Sequence, residues 1–130
     1  MIASEEEVAA AEARAGSMEV GRGPEPEGAA KEIEVTDWSG YPEGVARPPV
    51  TNFNTISGLR YAWNRAVANA VNNMLHKVFP QLKGLHVHEI TPIKFGGSPS
   101  KLSNKVALPP GVHYQLSTFW RIQQRMASID

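Results

Sequence analysis

Between residues 57 and 79 the apolar side chains Ala62, Ala66, Val67, Ala70, Val71, Met74, Leu75 and Val78 recur every three or four positions, the spacing of one helix face. Ser57 is placed to cap that helix, and Pro80 and Gly84 close it. A second stripe, Leu116, Phe119, Trp120 and Ile122, predicts a helix over about Val112 to Ala127 that buries these four side chains against the elements before it. Between the two helices the pattern changes. Leu85-His86-Val87-His88-Glu89-Ile90 reads as a strand, and Asn104 to Leu108 as a second short strand ended by Pro109-Pro110-Gly111. The stretch Phe95-Gly96-Gly97-Ser98-Pro99-Ser100, which no regular element crosses, makes the loop between them.

The first fifty residues carry no such pattern. Residues 4–15, rich in Ala and Glu, are compatible with a short helix that Gly16, Gly21, Gly23, Pro24, Pro26 and Gly28 would end. Ile33-Glu34-Val35 alternates as a short strand does, Trp38 and Tyr41 are large enough to anchor a linker on a neighbouring surface, and Arg47-Pro48-Pro49 forces an extended entry into the folded part. The expectation is an acidic, mostly irregular linker over residues 1–50 and one α+β domain over residues 51–130, in the order helix, strand, loop, strand, helix, without internal repeats.

Composition sharpens this picture in two ways. The chain has no cysteine, which leaves histidine and carboxylate as its strong metal ligands. Its start, Met-Ile-Ala-Ser-Glu-Glu-Glu, lacks the basic and apolar regions of a secretory signal, and nowhere do eighteen apolar residues follow one another, so no membrane partner is expected.

Charge changes it more. Eleven acids and four bases give residues 1–50 a balance of −7, whereas nine bases and two acids, Glu89 and Asp130, give residues 51–130 a balance of +7. A basic and almost acid-free segment suits a polyanion, because each phosphate it neutralises releases condensed counterions.

The chemistry-bearing residues fall inside that segment. His88 and Glu89 are neighbours on a strand; Pro92 and a Gly-Gly loop follow; Asn104 comes fifteen positions after Glu89, and His113 nine after Asn104. A zinc peptidase helix is disfavoured, since the pair His88-Glu89 would need a second histidine where Pro92 stands. Gly96-Gly97 lacks the surrounding pattern of a phosphate-binding loop.

From Leu85 to Arg125 this arrangement resembles the HNH, or ββα-metal, nuclease superfamily, and His-Glu-Ile-Thr-Pro-Ile-Lys-Phe-Gly-Gly-Ser-Pro is similar to the C-terminal nuclease domains of bacterial polymorphic toxins, including Rhs-type and contact-dependent effectors. The resemblance implies a ββα-metal finger preceded by a helix. It makes His88 and His113 metal ligands and Asn104 the residue that holds the inter-strand loop in shape. Glu89 falls where most members have a histidine base, and a carboxylate whose pKa is raised by partial burial can take a proton from water. Ser117 stands one helical turn after His113, where some relatives have another histidine. With two imidazoles in the shell, water and phosphate oxygens complete it, and magnesium is the first expectation, ahead of manganese or zinc. His86 shares a strand face with His88 and could be a third ligand, although a lone histidine at a strand start is more commonly a surface residue.

The activity implied is metal-dependent hydrolysis of DNA phosphodiester bonds, with Lys94, Lys101, Lys105, Arg121 and Arg125 available for phosphate contacts. The setting implied is the toxic C-terminal domain of a secreted effector, delivered by an upstream polypeptide without a signal peptide, acting in the cytoplasm of the target cell and paired with a cognate immunity protein. Two alternatives stay open: a non-catalytic nucleic-acid-binding module that retains the finger, and an RNase.

Overall fold

Residues 31–127 are described by the computed structural model, so the helix expected over residues 4–15 lies outside the described part. Four short strands, two α-helices and three single-turn 3-10 helices make up the regular structure of that part. Strand β1 (Glu32–Glu34) pairs antiparallel with β2 (Asn52–Asn54), Ile33 facing Phe53. Helix α1 (Gly58–Val78) follows, and then β3 (His86–Glu89) pairs antiparallel with β4 (Lys105–Leu108) before helix α2 (Pro110–Met126). The protein is therefore a mixed α+β fold with two separate two-stranded antiparallel sheets among the described residues.

The β3–β4 hairpin lies between the helices, and its alternation decides which helix each side chain meets. Val87 and Ala107, opposite each other in the register, pack with Val71, Leu75, Phe79 and Leu82 on the α1 side. Val106 and Leu108 belong to the other cluster, with Leu116, Phe119 and Trp120 of α2. On α1 the completely buried positions are Ala68, Val71 and Leu75, one turn apart as the apolar stripe requires.

Two details differ from the sequence pattern. Helix α2 begins at Pro110 and not near Val112, because a proline in the first turn gives up an N–H that has no intrahelical acceptor there anyway. Ile122 is not part of the core: it is 46% exposed, since it sits roughly a third of a turn away from the direction shared by Leu116, Phe119 and Trp120.

Residues 31–50 are mainly irregular, as a linker would be, yet they are packed into the fold. Val35, 2% exposed, and Tyr41 belong to the same cluster as Phe53, Phe95, Phe119 and Trp120. Trp38 stacks on Phe119 at 5.5 Å between ring centroids, Tyr41 meets Phe119 edge-on at 5.1 Å, and the Tyr41 hydroxyl donates to the Ala46 carbonyl at 2.6 Å. The aromatic residues of this stretch bury enough area to hold it, although it has almost no regular structure of its own.

Candidate active site

The end of β3 is set by Asn104. Its side-chain oxygen accepts the Thr91 N–H at 2.7 Å, its amide nitrogen donates to the carbonyls of Thr91 (3.0 Å) and Ser98 (2.9 Å), and its backbone carbonyl accepts the Ile90 N–H at 2.8 Å. One residue thus ties both ends of the loop to the start of β4. The two glycines serve this closure. Gly96 has φ +87°, and a Cβ on Gly97 would lie 1.8 Å from the Thr91 carbonyl oxygen, so the backbone can pass there only without a side chain.

With β3 fixed in this way, His86 and His88 share one face and Val87 and Glu89 the other. The first turn of α2 brings His113 in front of the histidine face, with ring centroids 5.0 Å from His86 and 5.0 Å from His88. The Nδ1 atoms of His86 and His113 are 2.9 Å apart, so one donates a hydrogen bond to the other. Burial, reinforced by the neighbouring His113 and Arg65 and only partly offset by Glu89, pushes His88 down to about 4. Burial, His86 and Arg65 lower His113 as well. Both rings are therefore neutral near pH 7, the state in which an imidazole binds a metal. The Nε2 of His88 is buried and meets no hydrogen-bond partner.

Glu89 lies on the opposite face and has a different environment from the one expected of a base. It is 5% exposed; Oε1 accepts from Arg65 Nη2 at 2.8 Å, and Oε2 from Asn72 Nδ2 at 3.0 Å and Lys105 Nζ at 3.2 Å. Burial alone raises a carboxyl pKa, but the charges of Lys105 and Arg65 and the bond from Asn72 outweigh it and hold Glu89 below its ordinary value. The expectation of a raised pKa is corrected accordingly: Glu89 is an ionised anchor with both oxygens engaged.

Lys105, cross-strand neighbour of Glu89, is 6% exposed and also bonds Asn72 Oδ1 at 2.8 Å. A buried, paired ammonium is not presented to a phosphate, and its expected contact role is corrected for that reason. The other expected phosphate ligands differ from it in exposure: Lys101, Arg121 and Arg125 are exposed, and Lys94 lies over the Tyr61 ring at 5.1 Å.

His88, Glu89 and His113 come together in a cleft of about 320 Å³, walled also by Arg65, Asn69, Asn72, Pro92 and Ser117. Lys94, Lys101, Arg121 and Arg125 are not in its wall, and Asn104 supports it from the loop behind. Of these walls, the sequence reading missed Arg65, Asn69 and Asn72. Their spacing of four and three along α1 is itself a polar stripe beside the apolar one, and Glu89 is the one acid between residues 51 and 127 for such a stripe to meet.

Nitrogen donors suited to a divalent ion are thus present, whereas the nearby carboxylate is occupied. Among the described residues no group of three or more His, Asp or Glu side chains is placed to hold a metal ion. Comparison with protein families, curated proteins and solved structures gave no match to this chain.

Proposed function

We propose that this protein is a metal-dependent endonuclease whose β3–β4–α2 unit works as a ββα-metal finger and hydrolyses DNA phosphodiester bonds. One observation carries the reading. His88, Glu89 and His113 meet in one cleft, His88 and His113 ring against ring, while Asn104 braces the loop behind it.

In this reading His88 and His113 hold a divalent ion, which when bound neutralises charge at the scissile phosphate and lowers the pKa of a coordinated water. Arg65, its side chain 36% exposed and fixed by Glu89, is aimed into the same cleft and offers remaining guanidinium donors to a phosphate oxygen. Glu89 acts through Arg65, as its positioning residue. The exposed Lys101, Arg121 and Arg125 add longer-range attraction for the polyanion. The proposal includes the setting implied by the resemblance: a delivered toxin domain, blocked in its producer by an immunity protein whose acidic surface covers the basic domain.

The sequestration of Glu89 favours a second reading, a finger that binds nucleic acid without cutting it. Supercoiled plasmid incubated with the purified chain, with magnesium, manganese or zinc and with excess chelator, separates the two. Nicking that requires an ion and disappears in His88→Ala and His113→Ala is the expected result. Cutting that survives the chelator overturns the metal mechanism, and retained DNA affinity without nicking selects the binding module. Cleavage of RNA alone reassigns the substrate.

A further inference from the structure

We infer that a second cleft, between the outer edge of β2 and the inter-strand loop, binds an unpaired nucleobase of a DNA strand whose phosphates stay outside on the basic surface. This rests on the nuclease reading only in taking DNA as the ligand, and it requires no cleavage. The cleft has a volume of about 580 Å³, within the range of small-ligand sites, about 300–1,000 Å³. It is lined by Asn52, Phe53 and Asn54 from β2 and by Thr91, Gly97 and Ser98 from the loop.

Charge decides which part of a ligand enters. Residues 51–130 hold nine bases and two acids, yet no charged side chain among the described residues lines this cleft. An anion placed there would lose its water without gaining a counter-ion, so the group that enters is uncharged. Lys101 is exposed, and its backbone N–H donates to Ser98 Oγ at 3.1 Å, which sets a cation beside the loop wall. A ligand with uncharged planar groups on a charged backbone fits that division, and a nucleotide strand is such a ligand. An uncharged peptide would leave the surrounding cations unused.

The edge of β2 supplies the hydrogen-bonding groups. Its bonds to β1 run through alternate residues: the Val35 N–H donates to the Thr51 carbonyl at 2.9 Å, and the Thr55 N–H to the Lys31 carbonyl at 2.8 Å. The N–H and C=O of Asn52 and Asn54 therefore turn away from β1, towards the cleft that both residues line. Gly96 closes the Asn54 end, where a Cβ would come 2.6 Å from the Asn54 carbonyl oxygen. Both side-chain amides are exposed, and an amide presents a donor beside an acceptor, the pattern that pairs with the edge of adenine. The exposed Val50 and the half-buried Ile90 give a base an apolar surface to lie on. Glu89 and Pro92 line the histidine cleft, while Ile90 and Thr91 line this one. Four consecutive residues span at most about 14 Å, so one strand a few nucleotides long can reach both clefts.

The test measures binding by the full chain in excess chelator, so that no cleavage intervenes, from the anisotropy of labelled oligonucleotides at one low salt concentration. An adenine-rich single strand should bind at least about tenfold more tightly than an abasic strand of the same length and charge, because contacts to one base are worth about that factor. Asn52→Ala combined with Asn54→Ala should remove this preference and leave the affinity for the abasic strand as it was. Both residues are exposed, so the fold should be kept, as near-ultraviolet dichroism would show. A fluorescent adenine analogue in the strand should change its emission on binding the parent and not on binding the double variant.

Equal affinity for the base-bearing and abasic strands overturns this inference, and if that chain nicks plasmid the nuclease reading stands. A base preference that survives the double substitution places the base elsewhere and overturns it too. The same preference shown for RNA alone overturns the assignment to DNA. Shifts of the Asn52 and Asn54 amide signals on adding an uncharged extended peptide, without any strand preference, make the β2 edge a peptide site instead. Base-dependent binding that needs Asn52 and Asn54, in a chain that does not nick, supports the cleft and counts against the nuclease reading.

Discussion

The Lys105 ammonium is buried against Glu89 and Asn72, and this makes Glu89 a stability residue before it is anything else. Glu89→Gln preserves shape and removes the charge, leaving a buried cation without its counter-ion. The expected loss is about 3–5 kcal/mol of folding stability, read from the denaturant midpoint, and Glu89→Gln with Lys105→Met should recover most of it. A single variant as stable as the parent would show that the cluster does not tie the hairpin to α1. The glycines allow a paired comparison. Gly97→Ala drives a methyl group into the Thr91 carbonyl and should destabilise, whereas Gly111→Ala meets open space in the first turn of α2 and should gain about 0.5–1 kcal/mol. Thermal melts of the two variants moving in the same direction would contradict this account of the loop.

At the scale of elements, the deciding question is which pieces the core cannot spare. Deleting residues 1–48 removes β1, Val35, Trp38 and Tyr41 from the cluster around Phe119 and Trp120. Two buried side chains of this kind contribute about 3–6 kcal/mol, a large part of the 5–15 kcal/mol typical of a whole domain. Loss of the near-ultraviolet aromatic signal is expected for that truncation, and its retention for removal of residues 1–30; an intact signal in both would show that the arm is dispensable. The sequence reading carried part of this, in the alternation at Ile33-Glu34-Val35 and the anchoring expected of Trp38 and Tyr41, but not the depth of their burial or the pairing with β2. The three-residue strand β2, Asn-Phe-Asn, is too short to carry a periodicity of its own, and its pairing with β1 is set by packing distant in sequence. Helix α1 was legible because its stripe persists over 21 residues. The hairpin and α2 were legible from alternation and proline punctuation, Ile122 excepted. His88, Asn104 and His113 stood out by spacing alone. The environment of Glu89 did not, because Arg65 and Asn72 reach it only once α1 is laid across the hairpin.

For the molecule as a whole, acid is the condition that sets the folded against the unfolded chain. An unfolded His88 takes up a proton near 6.5, but the folded, metal-free chain resists until about 4. Between those values the unfolded state binds more protons, so stability falls as pH falls, by up to about 3 kcal/mol across the window. Glu89 adds a loss of the same sign below its ordinary value of 4.5, where the unfolded carboxyl is protonated first. Denaturant midpoints at pH 7 and pH 5 should differ, and His88→Ala should flatten the difference; equal midpoints in the parent would refute the burial argument. The architecture also imposes an order in time. Val35 and Tyr41 near one end of the described chain share a core with Trp120 near the other, where the Lys31 ammonium donates to the Ala127 carbonyl at 2.9 Å. On a ribosome, which releases the N-terminal side first, β1 can pair with β2 early, but Val35 and Tyr41 have no Phe119 or Trp120 to pack on until the last described helix has emerged. His113 belongs to that helix too, so the cluster around Phe119 and Trp120 and the histidine face of the cleft are completed in the same step.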